Sequence, residues 1–282
     1  MIRKAKIAVS LDKELLKEVD MKINKTSIKN RSQALEHMIK KGMGKISISD
    51  AVIFLFKYDL NYFQYQYQGE LFLQRIMNFL REGGIQRVFI LSQQEEKIEK
   101  MCKNVDTQGL KIVIKYFPKE IENLPMLYKI KNELEERFLV INGDTLQQFK
   151  LSKMIHFFMD SEKYGTCLLI SSNKANKYTS LILEGNDIVE IKEKENTQNN
   201  IIYGGTAVFN KRVFSLLDEK KDAHMETDLF RKLIQIKELN GFFNYGEYIH
   251  MPEIYDLGYR ERREKLKKLM KKERDHQMNE EK

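Results

Sequence analysis

From residue 51 onward the chain alternates short apolar runs with amphipathic stretches, and no other feature restricts its fold as much. Ala51–Phe56 is a continuous apolar run; Val88–Leu91, Lys111–Tyr116 and Phe138–Asn142 follow it. Between them, Leu71, Ile76, Met77, Phe79 and Leu80 recur at helical spacing up to Gly83 and Gly84. Glu95–Asn104 reads as a charged helix and Leu127–Leu134 as another. Strands apolar on both faces and separated by helices predict an α/β domain with a mostly parallel, Rossmann-like sheet covered on both sides. Ligands of such sheets gather at the carboxyl ends of the strands. Phe138-Leu-Val-Ile-Asn-Gly-Asp144 ends one strand with a carboxylate at its tip, so Asp144 is the first candidate site residue.

Residues 1–44 follow a different pattern. Ala5, Ile7, Val9 and Leu11 alternate with Lys4, Lys6, Ala8 and Ser10, the period of a half-buried strand. Asp12 is placed to cap a helix with Leu15, Leu16, Val19 and Ile23 on one face. Ser32 is expected to cap a second helix bearing Ala34, Leu35, Met38 and Ile39, which Gly42 and Gly44 would end. A lone strand leaves both its edges unpaired. Pairing with a second copy of the chain solves this, as an antiparallel ribbon with four helices on one face. Charge divides the chain in the same way. Residues 1–50 hold 12 Lys/Arg against 6 Asp/Glu, residues 51–258 hold 27 against 29, and residues 259–282 hold 10 against 6. Basic ends around a near-neutral body suggest that an anionic partner, nucleic acid first, meets the ends.

The segments KIAVSLDKELLKEVD and NRSQALEHMIKKG resemble the ribbon–helix–helix family of DNA-binding proteins, over residues 3–44. That resemblance implies double-stranded DNA as partner and a homodimer held through the N-terminal ribbon. Lys4, Lys6, Ala8 and Ser10 would face the major groove, while Asn30, Arg31 and Ser32 would meet a phosphate at the start of the second helix. Ala8 departs from the polar residue usual at a base-reading position.

Residues 50–258 resemble the sugar-1-phosphate nucleotidyltransferases, a GT-A-like fold, through several motifs in order. Asn142-Gly-Asp144 matches the segment that holds a divalent metal in that family. Val189-Glu-Ile-Lys-Glu-Lys194, Tyr203-Gly-Gly-Thr-Ala-Val-Phe209, Met225-Glu-Thr-Asp-Leu-Phe230 and Tyr248–Tyr255 match later segments. The resemblance makes Asp144, Glu193, Lys194 and Gly205 the residues expected to hold a sugar phosphate. There are also departures. The family's phosphate-wrapping glycine loop is replaced by Lys57–Tyr67, which has no glycine or arginine, and Tyr62 stands at its lysine. The base-accepting glycine segment reads IENLPM at 121–126, and the second metal carboxylate falls at His250. These losses predict a body without catalytic residues, cofactor or metal, inside a DNA-binding regulator whose body senses a sugar phosphate or nucleotide sugar or mediates contacts with another protein. The alternative is a working sugar-1-phosphate nucleotidyltransferase in which the N-terminal piece only sets the oligomer.

Composition narrows the class further. With 42% hydrophobic and 32% charged residues the chain can build a core. Two cysteines, Cys102 and Cys167, form no disulfide framework and point to a reduced, cytoplasmic protein. No run approaches the length of a membrane helix, and the five histidines show no metal-ligand spacing along the sequence. Residues 259–282 read as a charged C-terminal helix or tail.

Overall fold

In the computed structural model, which describes residues 7–23, 28–42, 48–56, 62–93, 95–107, 109–117, 121–172, 177–193, 199–217, 223–245 and 248–254, the chain divides into two units, Met1–Ser47 and Ile48–Lys282. Lys4, Lys6, Lys194, the 57–61 stretch and the 259–282 tail lie outside the described residues.

In the first unit, α1 (Lys13–Met21) starts where expected, with Asp12 Oδ1 accepting the Leu15 N–H at 2.8 Å. The second helix, α2 (Arg31–Gly42), is capped by Asn30 and not by Ser32. Asn30 Oδ1 stands three residues ahead of the Gln33 N–H and accepts it at 3.0 Å, which is the cap spacing. Gln33 returns the bond by accepting the Lys29 N–H at 2.7 Å. Val19 and Ala34 are buried, whereas Ile7 and Val9 are 75% and 57% exposed. Among the described residues, Ile7–Ser10 is not paired as a strand.

The second unit is built on one nine-stranded sheet. Its first half follows the expected order: β1 (Asp50–Leu55), the short hairpin of β2 (Gln66–Tyr67) and β3 (Glu70–Leu71), then α3 (Phe72–Glu82) and β4 (Arg87–Ser92). Next come α4 (Glu95–Lys103), β5 (Lys111–Tyr116), α5 (Asn123–Lys129) and β6 (Arg137–Asn142). These four long strands lie parallel in the order β5-β4-β1-β6, with every residue of β1 buried. Helix α5 begins four residues earlier than its apolar spacing suggests, so that Pro125 falls in the first turn, where a missing N–H costs nothing.

The second half corrects the expectation of a mostly parallel sheet. After β7 (Thr145–Gln147) and α6 (Leu151–Ser161) come β8 (Gly165–Ser171), β9 (Thr179–Glu184), β10 (Asp187–Glu193) and β11 (Ile201–Asn210). A turn Lys211–Leu216, a wide turn Met225–Leu229, α7 (Phe230–Gln235), β12 (Leu239–Phe243) and β13 (Tyr248–His250) complete the described elements. Strand β11 runs antiparallel to both β6 and β8, β9 and β10 form a hairpin, and only β12 returns parallel to β8. The sheet is therefore mixed. From β8 to β11 no α-helix separates the strands among the described residues, and β9 turns into β10 across Gly185-Asn186, a link too short for a parallel crossover.

The core lies between the sheet and its helices, with Val52, Phe54, Phe89, Phe138, Val140, Leu169 and Phe209 among its buried side chains. Each such side chain contributes about 1.5–3 kcal/mol on leaving water. At the amino end of the strands, the carboxylate of Asp50 is 1% exposed. It accepts both Arg87 Nε (3.0 Å) and Nη2 (2.7 Å), together with the Glu135 N–H (2.8 Å). That cluster ties β1, β4 and the approach to β6 together, leaving the opposite, carboxyl end for chemistry.

Candidate functional site

The site starts at the tip of β6. Gly143 donates its N–H to the Phe54 carbonyl at 2.9 Å, and a Cβ there would lie 2.5 Å from that same oxygen. Only glycine lets the two strand ends close so tightly, and the turn that follows presents Asp144. The Asp144 carbonyl accepts the Met251 N–H at 2.9 Å. Strand β7 then pairs antiparallel with β13, setting Thr145 opposite His250. This pairing brings His250 Nε2 to 3.6 Å from Asp144 Oδ2.

The other ring nitrogen, His250 Nδ1, is 3.1 Å from the Tyr178 hydroxyl, which itself donates to Glu253. Burial, then the bond to Glu253, pushes the Tyr178 hydroxyl above its ordinary pKa. Two rings fix the imidazole: Tyr178 meets it edge-on at 5.2 Å and Tyr248 stacks on it at 6.3 Å.

A second polar group faces the core side. Glu226 sits on the wide turn Met225–Leu229, where hydrogen bonds run to the fifth residue, a local irregularity frequent at functional sites. Burial raises its carboxyl pKa, against bonds from the Asn123 and Asn142 side chains. Asn123 Nδ2 donates to Glu226 Oε2 at 3.4 Å, and Asn123 Oδ1 accepts the Met225 N–H at 2.8 Å. Tyr203 lies on β11 with its ring edge-on to Phe230 at 5.2 Å. Its hydroxyl is buried and makes no hydrogen bond among the described residues. Burial, followed by the charge of Glu226, holds that hydroxyl well above the ordinary tyrosine pKa.

A bulge in β11 produces this arrangement. Tyr203 pairs with Leu169 and Ala207 with Cys167, so β11 carries two extra residues against β8. Bulges re-aim side chains beside active sites. Gly205, inside the bulge, has φ +74°, and a side chain there would strike the Thr145 hydroxyl. Of the four residues expected to hold a sugar phosphate, Asp144 and Gly205 come together around Thr145. Glu193 ends β10 with its side chain undescribed, and Lys194 lies outside the described residues. Sequence reasoning missed Glu226, Tyr203 and Tyr178 as site residues and counted His250 only as a loss. Glu226 and Tyr203 did lie within quoted motifs, but the contact between β7 and β13, which places His250, leaves no mark in linear spacing.

In the first unit, Asn30, Arg31 and Ser32 are exposed at the start of α2, as are Ala8 and Ser10 ahead of α1. The Arg31 guanidinium is engaged by Asp20, with Nε–Oδ1 at 2.7 Å and Nη2–Oδ2 at 2.8 Å.

The carboxylate of Asp144 and the imidazole of His250 are a donor set that fits a divalent ion. Among the described residues no third His, Cys, Asp or Glu converges with them. The remaining positions would fall to substrate phosphates and water, the usual arrangement at nucleotide sites.

The chain is similar to the bifunctional protein GlmU of Methanocaldococcus jannaschii, 29% identical over 124 residues, or 40% of this chain and 29% of that protein. It is similar to the mannose-1-phosphate guanylyltransferase catalytic subunit beta of Drosophila melanogaster, 22% identical over 60% of this chain and 47% of the relative. The chain thus spans less than a third of the first relative and about half of the second. The D-glycero-alpha-D-manno-heptose 1-phosphate guanylyltransferase of Aneurinibacillus thermoaerophilus is 25% identical over 67% of this chain and 84% of its own length. Among solved structures, HddC from Yersinia pseudotuberculosis superposes with a TM-score of 0.64 at 20% identity, covering 74% of this chain and 96% of that one. The inositol-1-phosphate CTP transferase from T. maritima gives 0.61 at 18%, over 75% and 95%. These likenesses show the α/β fold of the second unit.

Residues 65–271 match the family described as Nucleotidyl transferase. The match, together with a relative named as a guanylyltransferase, overturns the expectation of a degenerate, non-catalytic body. That expectation counted departures in linear order, and one of them, His250, stands in space directly beside Asp144. By this match over most of its length, the chain belongs to the nucleotidyl transferase family.

Proposed function

We propose that the second unit transfers a nucleotidyl group from a nucleoside triphosphate to a sugar 1-phosphate, releasing pyrophosphate. The observation that carries this reading is the approach of Asp144 and His250 to 3.6 Å at the carboxyl end of β6, beside the polar floor of Glu226, Asn123 and Tyr203. Two anions must meet for the reaction, so charge at the transferring phosphorus has to be offset. Asp144 and His250 are the residues that would hold a divalent ion, which when bound supplies that offset. Glu226 and Tyr203 supply an acceptor and a donor shielded from water, suited to the hydroxyls of a sugar ring. Glu193, Lys194 and Gly205 are proposed to complete the sugar-phosphate side. The test is pyrophosphate release from a panel of nucleoside triphosphates and sugar 1-phosphates. Turnover that falls at least ~100-fold in Asp144→Ala, in line with the loss of one transition-state electrostatic partner, is expected. Absence of turnover with every pair, or turnover indifferent to Asp144→Ala, overturns the reading.

A second reading concerns the first unit and is supported by a separate observation. Ile7 and Val9 are exposed on a segment that is unpaired among the described residues, directly ahead of the Asp12-capped helix. We infer that residues 1–44 form a ribbon–helix–helix dimer with a second copy of the chain and bind double-stranded DNA through Lys4, Lys6, Ala8 and Ser10. Asn30, Arg31 and Ser32 would meet a phosphate, Arg31 sharing its guanidinium with Asp20. The sugar phosphate or nucleotide sugar held by the second unit would then act on a DNA-bound protein.

A further inference from the structure

We propose that Tyr203 is the residue that selects the sugar. Its buried hydroxyl donates to one ring hydroxyl of the substrate, which donates in turn to Glu226, and a sugar lacking that hydroxyl is rejected. The proposal deepens the nucleotidyl-transfer reading and takes the identity of the ligand from it. Its own observation is a donor with no acceptor. Tyr203 is 6% exposed, and its hydroxyl makes no hydrogen bond among the described residues. Buried polar groups are nearly always paired, and leaving one unpaired destabilises the fold. Burial and the charge of Glu226 hold the phenol well above its ordinary pKa, so it keeps its proton and remains a donor.

Position and chemistry both point to the substrate. Strand β11 runs antiparallel to β6 with Thr206 opposite Ile141, so Tyr203 lies beyond the carboxyl end of β6, on the side of Asp144. Its ring stands edge-on to Phe230 at 5.2 Å, which fixes the direction of the hydroxyl. Glu226 is close enough to act on that hydroxyl by its charge, yet it is held by the Asn123 and Asn142 side chains. Asn123 is fixed in turn, because its Oδ1 accepts the Met225 N–H at 2.8 Å. The Cys167 thiol, which also acts on Tyr203, is only a weak acceptor. A group that joins Tyr203 to Glu226 must accept from one and donate to the other. A sugar hydroxyl does both with one oxygen, whereas an ionised phosphate oxygen only accepts. A site built to bond a hydroxyl discriminates strongly against the analogue without it, because its own buried groups are then left unpaired.

Two measurements on the full chain test this, and Tyr203→Phe, which keeps the ring, serves both. Without ligand, removal of an unsatisfied buried hydroxyl should raise the melting temperature by a few degrees in scanning calorimetry. A melting temperature that is unchanged or lower would mean that an internal water already satisfies the hydroxyl, and overturns the proposal. The second measurement is calorimetric titration with the 1-phosphates of glucose, galactose and mannose, and with the monodeoxy analogues of the tightest binder. The native chain should bind one deoxy analogue at least ~10-fold more weakly than its parent. Tyr203→Phe should lose at least ~10-fold in affinity for the parent and should no longer distinguish it from that analogue. Unaltered affinity in Tyr203→Phe, with pyrophosphate release intact in the native chain, overturns the proposal and leaves the transfer reading standing. A native chain that binds none of the three sugar phosphates and releases no pyrophosphate with any of them removes the transfer reading, and the sugar as occupant falls with it.

Discussion

At Gly205 the backbone turns into a region that side chains rarely adopt, and a methyl group there would meet Thr145, the neighbour of Asp144. Gly205→Ala should therefore cost about 1–3 kcal/mol and lower the melting temperature by several degrees, whether or not a ligand touches the glycine. A calorimetric melt unchanged in that variant would show that the bulge tolerates a side chain. Glu226 makes a different prediction. Its carboxyl pKa is raised by burial, so relative to the unfolded chain its protonated form stabilises the fold at low pH. That contribution is lost as pH rises from the ordinary carboxyl range through the raised value. Glu226→Gln should match the native chain at about pH 4 and melt higher than it at about pH 8. A gap that fails to widen with pH would mean the carboxylate is compensated in place. Asp144 was legible because a strand-end carboxylate is visible in a run of residues. His250 was not, since its place depends on a pairing across more than a hundred residues.

At the scale of elements, the first four long strands and the helices between them could be read from apolar spacing with bounds shifted by a few residues. Caps and antiparallel pairings could not. Asn30 outcompetes Ser32 for α2 because backbone geometry decides which oxygen reaches the third N–H. The mixed half of the sheet escaped because β8 and β11 are as apolar as a parallel strand, while no α-helix stands between them among the described residues. Strand ends also hold the clearest stability test away from the site. Arg87→Met leaves the buried Asp50 carboxylate, among the described residues, with only the Glu135 N–H, and breaking such a pair costs about 3–5 kcal/mol. Because the cluster stands at the amino ends of β1 and β4, urea unfolding should register this loss while the substrate KM stays unchanged. A large KM change would mean that the strand ends are coupled more tightly than the hydrogen bonds suggest.

For the whole molecule, a basic two-helix unit stands beside a domain of the nucleotidyl transferase family. Ile7 and Val9 project from a segment with no strand partner among the described residues, yet their alternation with polar residues is that of a strand with one buried face. Burying two such side chains in a second copy would contribute about 1.5–3 kcal/mol each, and main-chain pairing would cover one edge of each strand. A charge placed there cannot be buried without large cost. Ile7→Asp in the full chain should therefore convert a dimer to a monomer in analytical ultracentrifugation. If the paired strands are also what reads DNA, the same substitution should abolish retention of a double-stranded probe. Lys4→Ala with Lys6→Ala should weaken that retention and flatten its salt dependence, while leaving the dimer intact. Pyrophosphate release should be unaltered in both variants, because no site residue of the second unit is touched. A chain that is monomeric before substitution removes the ribbon from residues 1–44. A dimer that ignores Ile7→Asp places the interface elsewhere. Transfer that falls with dimer dissociation would make assembly, and not DNA, the purpose of the first unit.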